Sequence, residues 1–198
     1  VPKNTFYNLS DEKKGRIFDA ALEEFSVRTF DQASLNQIIK NAGIPKGSFY
    51  QYFENKEDIY LYMAEIILKE KSDILNCVRG IDPDADVFEI IMHTTREFIK
   101  QGKEKPGYAE AGMRMKLDNS EIAKRVRKSS AEKFVTMLER DKERGLIKPE
   151  VDSQVVINMI STFSLNEYYE NGSDKERYLK NLGQAIKIIK DGIAQPKD

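Results

Sequence analysis

The sequence predicts an all-α chain of about nine helices, with three short helices at the N-terminus, a long connecting helix and a larger helical C-terminal part. Three observations carry that expectation. Apolar residues recur at three-and-four spacing along nearly the whole chain, the period of a helix buried on one face, and strand alternation survives nowhere. Glycine and proline number only 11 and 6 among 198 residues, so turns are scarce. One long break, RGIDPDAD from Arg79 to Asp86, interrupts the pattern and marks a boundary. The expected division is 1–55, 56–83 as connecting helix and linker, and 84–198.

The elements follow in order. Ser10 precedes Asp11 and Glu12, acids that suit a first helical turn, and Ile17, Ala20, Ala21 and Phe25 share a face, which predicts a helix over Ser10–Arg28. Ser34-Leu35-Asn36-Gln37 has the form of a capping box, with Gln37 expected to reach back to the Ser34 N–H. Leu35, Ile38, Ile39 and Ala42 give this second helix its buried face, and Gly43 ends it. Pro45 opens a third helix that lasts to about Phe53, because Asn55 can cap the next one. That fourth helix runs through Ile59, Met63, Ile66 and Ile67 to about Val78. Further helices are expected over Ala85–Gln101, Pro106–Lys116, Ser120–Gly145, Ser153–Asn171 and Asp174–Ala194.

Composition narrows the class. Hydrophobic residues at 40% and charged ones at 33% suit a globular chain rather than a disordered one. A single cysteine, Cys77, excludes a disulfide framework and fits a reducing cytosol. No apolar run is long enough to span a bilayer and no signal-peptide pattern opens the chain, so a cytoplasmic location and no membrane partner are expected. The start at Val1-Pro2 suggests a processed terminus. Net charge is −1, but residues 40–56 set Lys40, Lys46 and Lys56 against Glu54 alone, a modest basic patch.

The second and third helices, joined around Gly43, make a helix-turn-helix, a motif whose second helix enters the major groove of DNA. On that helix Phe49 and Phe53 are four apart and face the core. Lys46, Ser48, Gln51 and Tyr52 are left outside with Tyr50 at the margin, and Gly47 permits close approach to a backbone. Glutamine pairs with an adenine edge, serine serves several bases, and tyrosine hydroxyls and lysines suit phosphates. The competing account is an aromatic-rich packing helix with no DNA role.

The wider pattern resembles the tetracycline-repressor (TetR) family of bacterial transcription regulators. The resemblance is carried by SLNQIIKNAGIPKGSFYQYFENKEDIY, with Ser34, Ile38, Ala42-Gly43-Ile44, Gly47, Tyr50, Tyr52-Phe53 and Lys56-Glu57 at the family's spacing, and with Phe25 as the aromatic ending the first helix. It implies that Ser34, Tyr50, Tyr52 and Lys56 bind phosphates and that Pro45, Lys46, Ser48 and Gln51 face the groove. The chain departs from the family at Thr29 and Ile39, where glycine and alanine are usual, and at Pro45, where serine or threonine often caps the helix.

For the C-terminal part the resemblance implies a domain that binds a small molecule and dimerises. Apolar residues Val155, Val156, Ile157, Met159, Ile160, Phe163 and Leu165 surround their helix, so it needs a second covering surface besides its own core. Tyr178, Leu182, Ala185, Ile186, Ile189 and Ile193 form a stripe on the last helix, with Gly183 and Gly192 allowing close approach, and a four-helix subunit contact is expected from the two helices, the alternative being that the last helix closes the chain's own core. Candidates for a mainly apolar ligand pocket are Phe88, Thr95, Tyr108, Met113, Phe134, Met137, Phe163 and Asn166, although the same residues also suit an ordinary core. His93 lies on the other face of its helix from Phe88 and Thr95.

Enzyme classes fare poorly. One histidine and one cysteine cannot supply a helical di-metal site or a nucleophilic triad, phosphate-cradling glycine loops are missing, and no cofactor or metal is expected. The expectation is therefore a ligand-responsive homodimeric regulator, most simply a repressor, on palindromic operator DNA. The alternative is a helical protein-binding adaptor.

Overall fold

The computed structural model describes residues 2–81, 84–102 and 107–194. Ten helices are described: α1 (Asn4–Tyr7), α2 (Asp11–Val27), α3 (Leu35–Asn41), α4 (Lys46–Tyr52), α5 (Lys56–Ile81), α6 (Val87–Gly102), α7 (Tyr108–Leu117), α8 (Glu121–Glu143), α9 (Ser153–Asn171) and α10 (Lys175–Ile193). Among the described residues no strand forms, only an isolated bridge between Ile147 and Ala194. The expected helices are present with ends shifted by a few residues, and α5 runs on to Ile81 rather than stopping near Val78. Helix α1 is an addition: a single turn is too short to show a period in sequence. The Pro83 break and the expected start at Pro106 lie outside the described residues.

The chain forms two compact units, Val1–Lys71 with Gly102–Arg127, and Ser72–Gln101 with Lys128–Asp198. Residues 102–127, placed by the sequence within one domain over 84–198, thus group with the N-terminal helices. The cause lies on α7, where Tyr108, Ala111 and Met115 are all buried at helical spacing, and where the Tyr108 ring meets Phe18 of α2 at 5.5 Å between centroids. Gly107 turns the chain into α7 at φ 91, and a Cβ there would stand 3.3 Å from the Leu22 side chain. Only glycine suits both demands.

The core of the first unit is aromatic. Phe6, Phe25, Phe49, Phe53 and Tyr60 are almost fully buried with Ile17, Ile38, Ile59, Met63 and Ile67. Phe49 and Phe53 stack at 5.3 Å, and Phe25 meets Tyr60 edge-on at 4.9 Å. Side chains of this size dominate core energetics, each fully buried one contributing about 1.5–3 kcal/mol.

In the second unit Val87, Phe88 and Ile90 of α6 pack with Leu138 of α8, Ile157 and Ile160 of α9, and Tyr178, Leu182 and Ile186 of α10. The start of α6 is fixed twice. Asp86 caps it, its Oδ1 accepting from the Phe88 and Glu89 N–H groups at 2.9 and 3.0 Å, while Glu89 returns to the Asp86 N–H at 3.0 Å. Asp141 of α8 is fully buried, accepts the Val87 N–H at 2.7 Å, and is paired with Arg140 and Arg144 at 2.7 and 3.0 Å.

One expectation is corrected here. Of the α10 stripe, Tyr178, Leu182 and Ile186 are buried in the unit's own core and so are not available to a second subunit, whereas Ala185, Ile189, Ile193 and Gly183 are half-buried and Gly192 is exposed. The large apolar side chains left exposed on these two helices are Val155, Met159, Phe163 and Tyr169 on α9 and Ile188 on α10.

Candidate nucleic-acid interface

Helix α3, a four-residue turn over 42–45 and α4 form the helix-turn-helix, and each junction has a local cause. The Ser34 hydroxyl oxygen accepts the Gln37 N–H at 3.3 Å and starts α3. The reciprocal half of the expected capping box is not made. Gln37 turns instead to Asn41, its Nε2 donating to Oδ1 at 2.7 Å, and the Ser34 N–H is taken at 2.7 Å by Glu24 from α2. Glu24 is buried, and Arg28 one turn on pairs with its second oxygen at 2.7 Å, so the carboxylate is both neutralised and hydrogen-bonded. At the far end Gly43 takes φ 63, its N–H returning to Lys40 O at 3.1 Å, and Pro45 enters α4 with an extended ψ of 144 and no side-chain cap. Thr29, in the place where glycine is usual, does not take positive φ, and the buried Ile39 packs in the core.

Of the predicted DNA-facing residues, Ser34, Pro45, Lys46, Gly47, Tyr50 and Gln51 are exposed and Ser48 is half-buried. They surround the start and outer face of α4, with Phe49 and Phe53 turned inward. A Cβ at Gly47 would meet nothing within 4 Å.

Two residues sit differently from the expectation. Tyr52 is 6% exposed rather than turned outward: its ring packs against Phe6 at 6.3 Å, and its hydroxyl oxygen accepts from Lys13 Nζ at 3.1 Å. Tyr52 is three residues from Phe49, and so extends the buried stripe. Lys56 is half-buried, with Nζ 4.7 Å from the Phe30 ring centre and donating to the carbonyls of Ala33 and Asp31 at 2.9 and 3.4 Å. Its ammonium therefore braces the loop into α3.

Four residues that support this surface went unnoticed in the sequence: Glu24, Lys13, Lys3 and Thr5. Lys3 and Thr5 donate to the last carbonyls of α4, Lys3 Nζ to Tyr50 O at 2.9 Å, the Lys3 N–H to Tyr52 O at 2.8 Å, and the Thr5 hydroxyl to Gln51 O. Partners 46 and 47 residues apart leave no local signal. Glu24 had one: a carboxylate one helical turn after the buried Ala20 and beside Phe25 is an acid on an apolar face.

The proposed ligand residues divide. Phe88 and Met137 are buried together in the second unit with Phe134 packed against them, whereas Tyr108 and Met113 belong to the first. Phe163 and Asn166 are exposed on α9, away from the interior expected for them. The Thr95 hydroxyl donates to Ile91 O at 2.8 Å in its own helix. Its neighbour Thr94 is the buried one, and its Oγ1 has no hydrogen-bond partner among the described residues. His93 is exposed, as expected. Burial raises the Tyr108 hydroxyl well above the ordinary phenol range, with the nearby Glu70 and Asp19 adding to it.

No helix among the described residues is long and apolar enough to cross a membrane. No group of three or more histidine, cysteine, aspartate or glutamate side chains among them is placed to hold a metal ion.

Residues 17–63 match the family model for bacterial regulatory proteins, tetR family. An uncharacterized HTH-type transcriptional regulator, YdgC of Bacillus subtilis (strain 168), is 30% identical over 154 residues, covering 73% of each chain. The biofilm operon icaADBC HTH-type negative transcriptional regulator IcaR of Staphylococcus epidermidis is 30% identical over 94 residues, 44% of this chain and 50% of that one. Among solved structures, a TetR family transcriptional regulator from Chloroflexus aurantiacus J-10-FL superposes with a TM-score of 0.68 at 27% identity, over 99% of this chain and 100% of the other.

Proposed function

The chain belongs to the tetR family of bacterial transcriptional regulators, and from that premise we propose that it is a repressor that binds palindromic operator DNA as a homodimer and is released by a mainly apolar small molecule. Its activity is regulation through a DNA-binding helix-turn-helix, not catalysis. The observation that carries the proposal is the outer face of α4, where Lys46, Gly47, Tyr50 and Gln51 stand exposed over the buried Phe49 and Phe53. Gln51 supplies the base-reading pair of donor and acceptor. Lys46, Tyr50 and the Ser34 hydroxyl supply phosphate contacts.

Dimerisation is supported by the exposed row Val155, Met159 and Phe163, spaced by four on α9, for which the chain itself provides no cover among the described residues. A twofold axis through such a contact presents two copies of α4 to two half-sites. Repression is supported by the negative regulator among the relatives. A ligand is supported by the buried Thr94 hydroxyl beside the apolar core of the second unit. Helices α5 and α8 run from one unit into the other and carry the response. Linkage then requires DNA to weaken ligand binding by the factor with which ligand weakens DNA binding.

The test is fluorescence anisotropy with duplexes from around the protein's own gene at two salt concentrations, using the wild type and a Gln51→Ala/Lys46→Ala variant. Tight, salt-dependent binding that the variant loses supports the reading. Binding no stronger than to a scrambled duplex, for both proteins and after selection from random oligonucleotides, overturns it.

A further inference from the structure

Helix α4 has seven residues, too few to be stable by itself, and its last four carbonyls are the ones a helix leaves without internal partners. Its final turn carries Tyr50 and Gln51, on which the DNA reading depends. Those carbonyls are nonetheless all met. Phe49 O accepts from the Phe53 N–H at 2.8 Å, and the next three are taken by Lys3 and Thr5: Tyr50 O by the Lys3 ammonium at 2.9 Å, Gln51 O by the Thr5 hydroxyl, Tyr52 O by the Lys3 N–H at 2.8 Å.

The segment that supplies these donors is itself anchored. Phe6 of α1 is 1% exposed and sits among the rings of Phe53, Tyr62 and Tyr52, at 5.0, 4.8 and 6.3 Å. The Phe6 N–H closes back on Lys3 O at 2.9 Å, which fixes Lys3 and Thr5 relative to the buried ring. A lysine at this place also offsets the partial negative charge of the α4 C-terminus.

We infer that α1 is part of the DNA-reading head, with Lys3 and Thr5 acting as positioning residues that close the last turn of α4 and so set the presentation of Tyr50 and Gln51. They do this without touching DNA. The inference rests on α4 being the recognition helix.

The test compares the full chain with a Lys3→Ala/Thr5→Ala variant and with Thr5→Ser, which keeps the hydroxyl. Both Lys3 and Thr5 are exposed, so the double variant retains the aromatic core. Hydrogen exchange is measured on the free protein. Affinity is measured at several salt concentrations on a duplex selected from random oligonucleotides by the wild type. The last α4 amides are expected to exchange about tenfold faster in the double variant while α2 amides do not change. DNA affinity falls about five- to tenfold with an unchanged salt slope, and Thr5→Ser behaves as wild type.

Unchanged exchange in α4 overturns the inference whatever the DNA result. Faster exchange with affinity held within about twofold overturns the link to recognition. An affinity loss whose salt slope also drops by about 0.9 makes Lys3 a phosphate contact instead and overturns the positioning role. A wild type that selects no duplex defeats the DNA reading, and the inference with it, while the exchange measurement still reports the cap separately.

Discussion

Asp118 Oδ2 accepts the backbone N–H of Phe30 at 2.5 Å, a bond spanning 88 residues of sequence that ties the α7–α8 turn to the loop leading into the helix-turn-helix. Its Oδ1 accepts the Ser120 N–H at 2.8 Å, and Arg127 donates to the Asp118 carbonyl. Burial opposes the charge on this carboxylate, but the N–H groups of Phe30 and Ser120, with Arg127 nearby, outweigh it and hold the carboxyl below its usual range. Asp118→Asn replaces one acceptor oxygen by an amide that confronts an N–H, and is expected to cost about 1–3 kcal/mol in urea unfolding at pH 7. Because the folded-state value is depressed, the wild-type advantage is present above the unfolded aspartate value near 3.9 and fades as pH falls through the lower folded value. The difference between the two proteins should therefore shrink with acid; a constant difference would show that packing, not charge, sets it.

Lys116 on α7 titrates in the opposite sense. Burial, and then the like charge of Lys71, lower its ammonium to about 7. Between that value and the unfolded lysine value near 10.4 the unfolded chain binds more protons, so stability rises with pH across this window. Lys116→Met, which keeps the aliphatic length and removes the charge, is expected to stabilise by about 1–3 kcal/mol at pH 7 and by little at pH 10. Denaturant midpoints at the two pH values check this. A destabilised variant at pH 7 would mean that the ammonium is held favourably by groups around it.

How much of this was legible in the sequence differs element by element. The side-chain cap at Ser34, the turn at Gly43 and the inward pair Phe49 and Phe53 follow from local spacing alone. Tyr52 was misplaced because a tyrosine three residues after Phe49 satisfies the buried stripe and the outer face about equally on paper; the Phe6 ring from α1 decides it. The shift from Thr95 to Thr94 has a similar cause. Helix α6 is apolar over a wide arc, with Phe88 seven residues before Thr95 and Val87 seven before Thr94, and one residue is a rotation of about 100°. The long-range partners Glu24, Lys3 and Asp118, two acceptors and a donor, answer backbone groups whose position only the folded chain determines, and of the three only Glu24 leaves a local trace, as an acid on an apolar face.

Thr94 offers a direct measurement of an unmade hydrogen bond. Thr94→Val swaps the hydroxyl for a methyl of nearly the same shape, removing a buried polar atom with no partner among the described residues. The variant is expected to be unchanged or up to about 1 kcal/mol more stable by urea unfolding, whereas threonine hydroxyls that are bonded lose stability on this change. If the hydroxyl anchors the small molecule, the stabilised variant also needs at least about tenfold more of an active ligand to leave DNA. A destabilised variant would show the hydroxyl to be bonded in solution.

The exposed row on α9 predicts a subunit contact with a direct readout. Met159 is 54% exposed between Val155 and Phe163. Met159→Lys places a charge at the centre of that row, where it costs nothing in a monomer and several kcal/mol in an apolar interface. Sedimentation velocity at micromolar protein should give a dimer for the wild type and a monomer for the variant, with helix content unchanged. The monomer is expected to keep only weak, sequence-independent DNA binding, because one head engages one half-site. A dimeric Met159→Lys would move the contact off this face.

Gln51 and Lys46 separate reading from attraction on the same helix. Both are exposed on α4, one near its end and one at its start. Gln51→Ala removes a bidentate partner for a base edge, so discrimination at one position of each half-site should fall by about 1–3 kcal/mol while the salt slope stays as it was. Lys46→Ala should instead weaken all duplexes about equally and lower the slope by about 0.9 for each phosphate released. Competition titrations with duplexes altered one position at a time, repeated at two salt concentrations, measure both quantities. If Gln51→Ala proved as indifferent to sequence as Lys46→Ala, base reading would have to rest on Ser48 and Tyr50, the remaining α4 side chains that are not fully buried and can hydrogen-bond to a base edge.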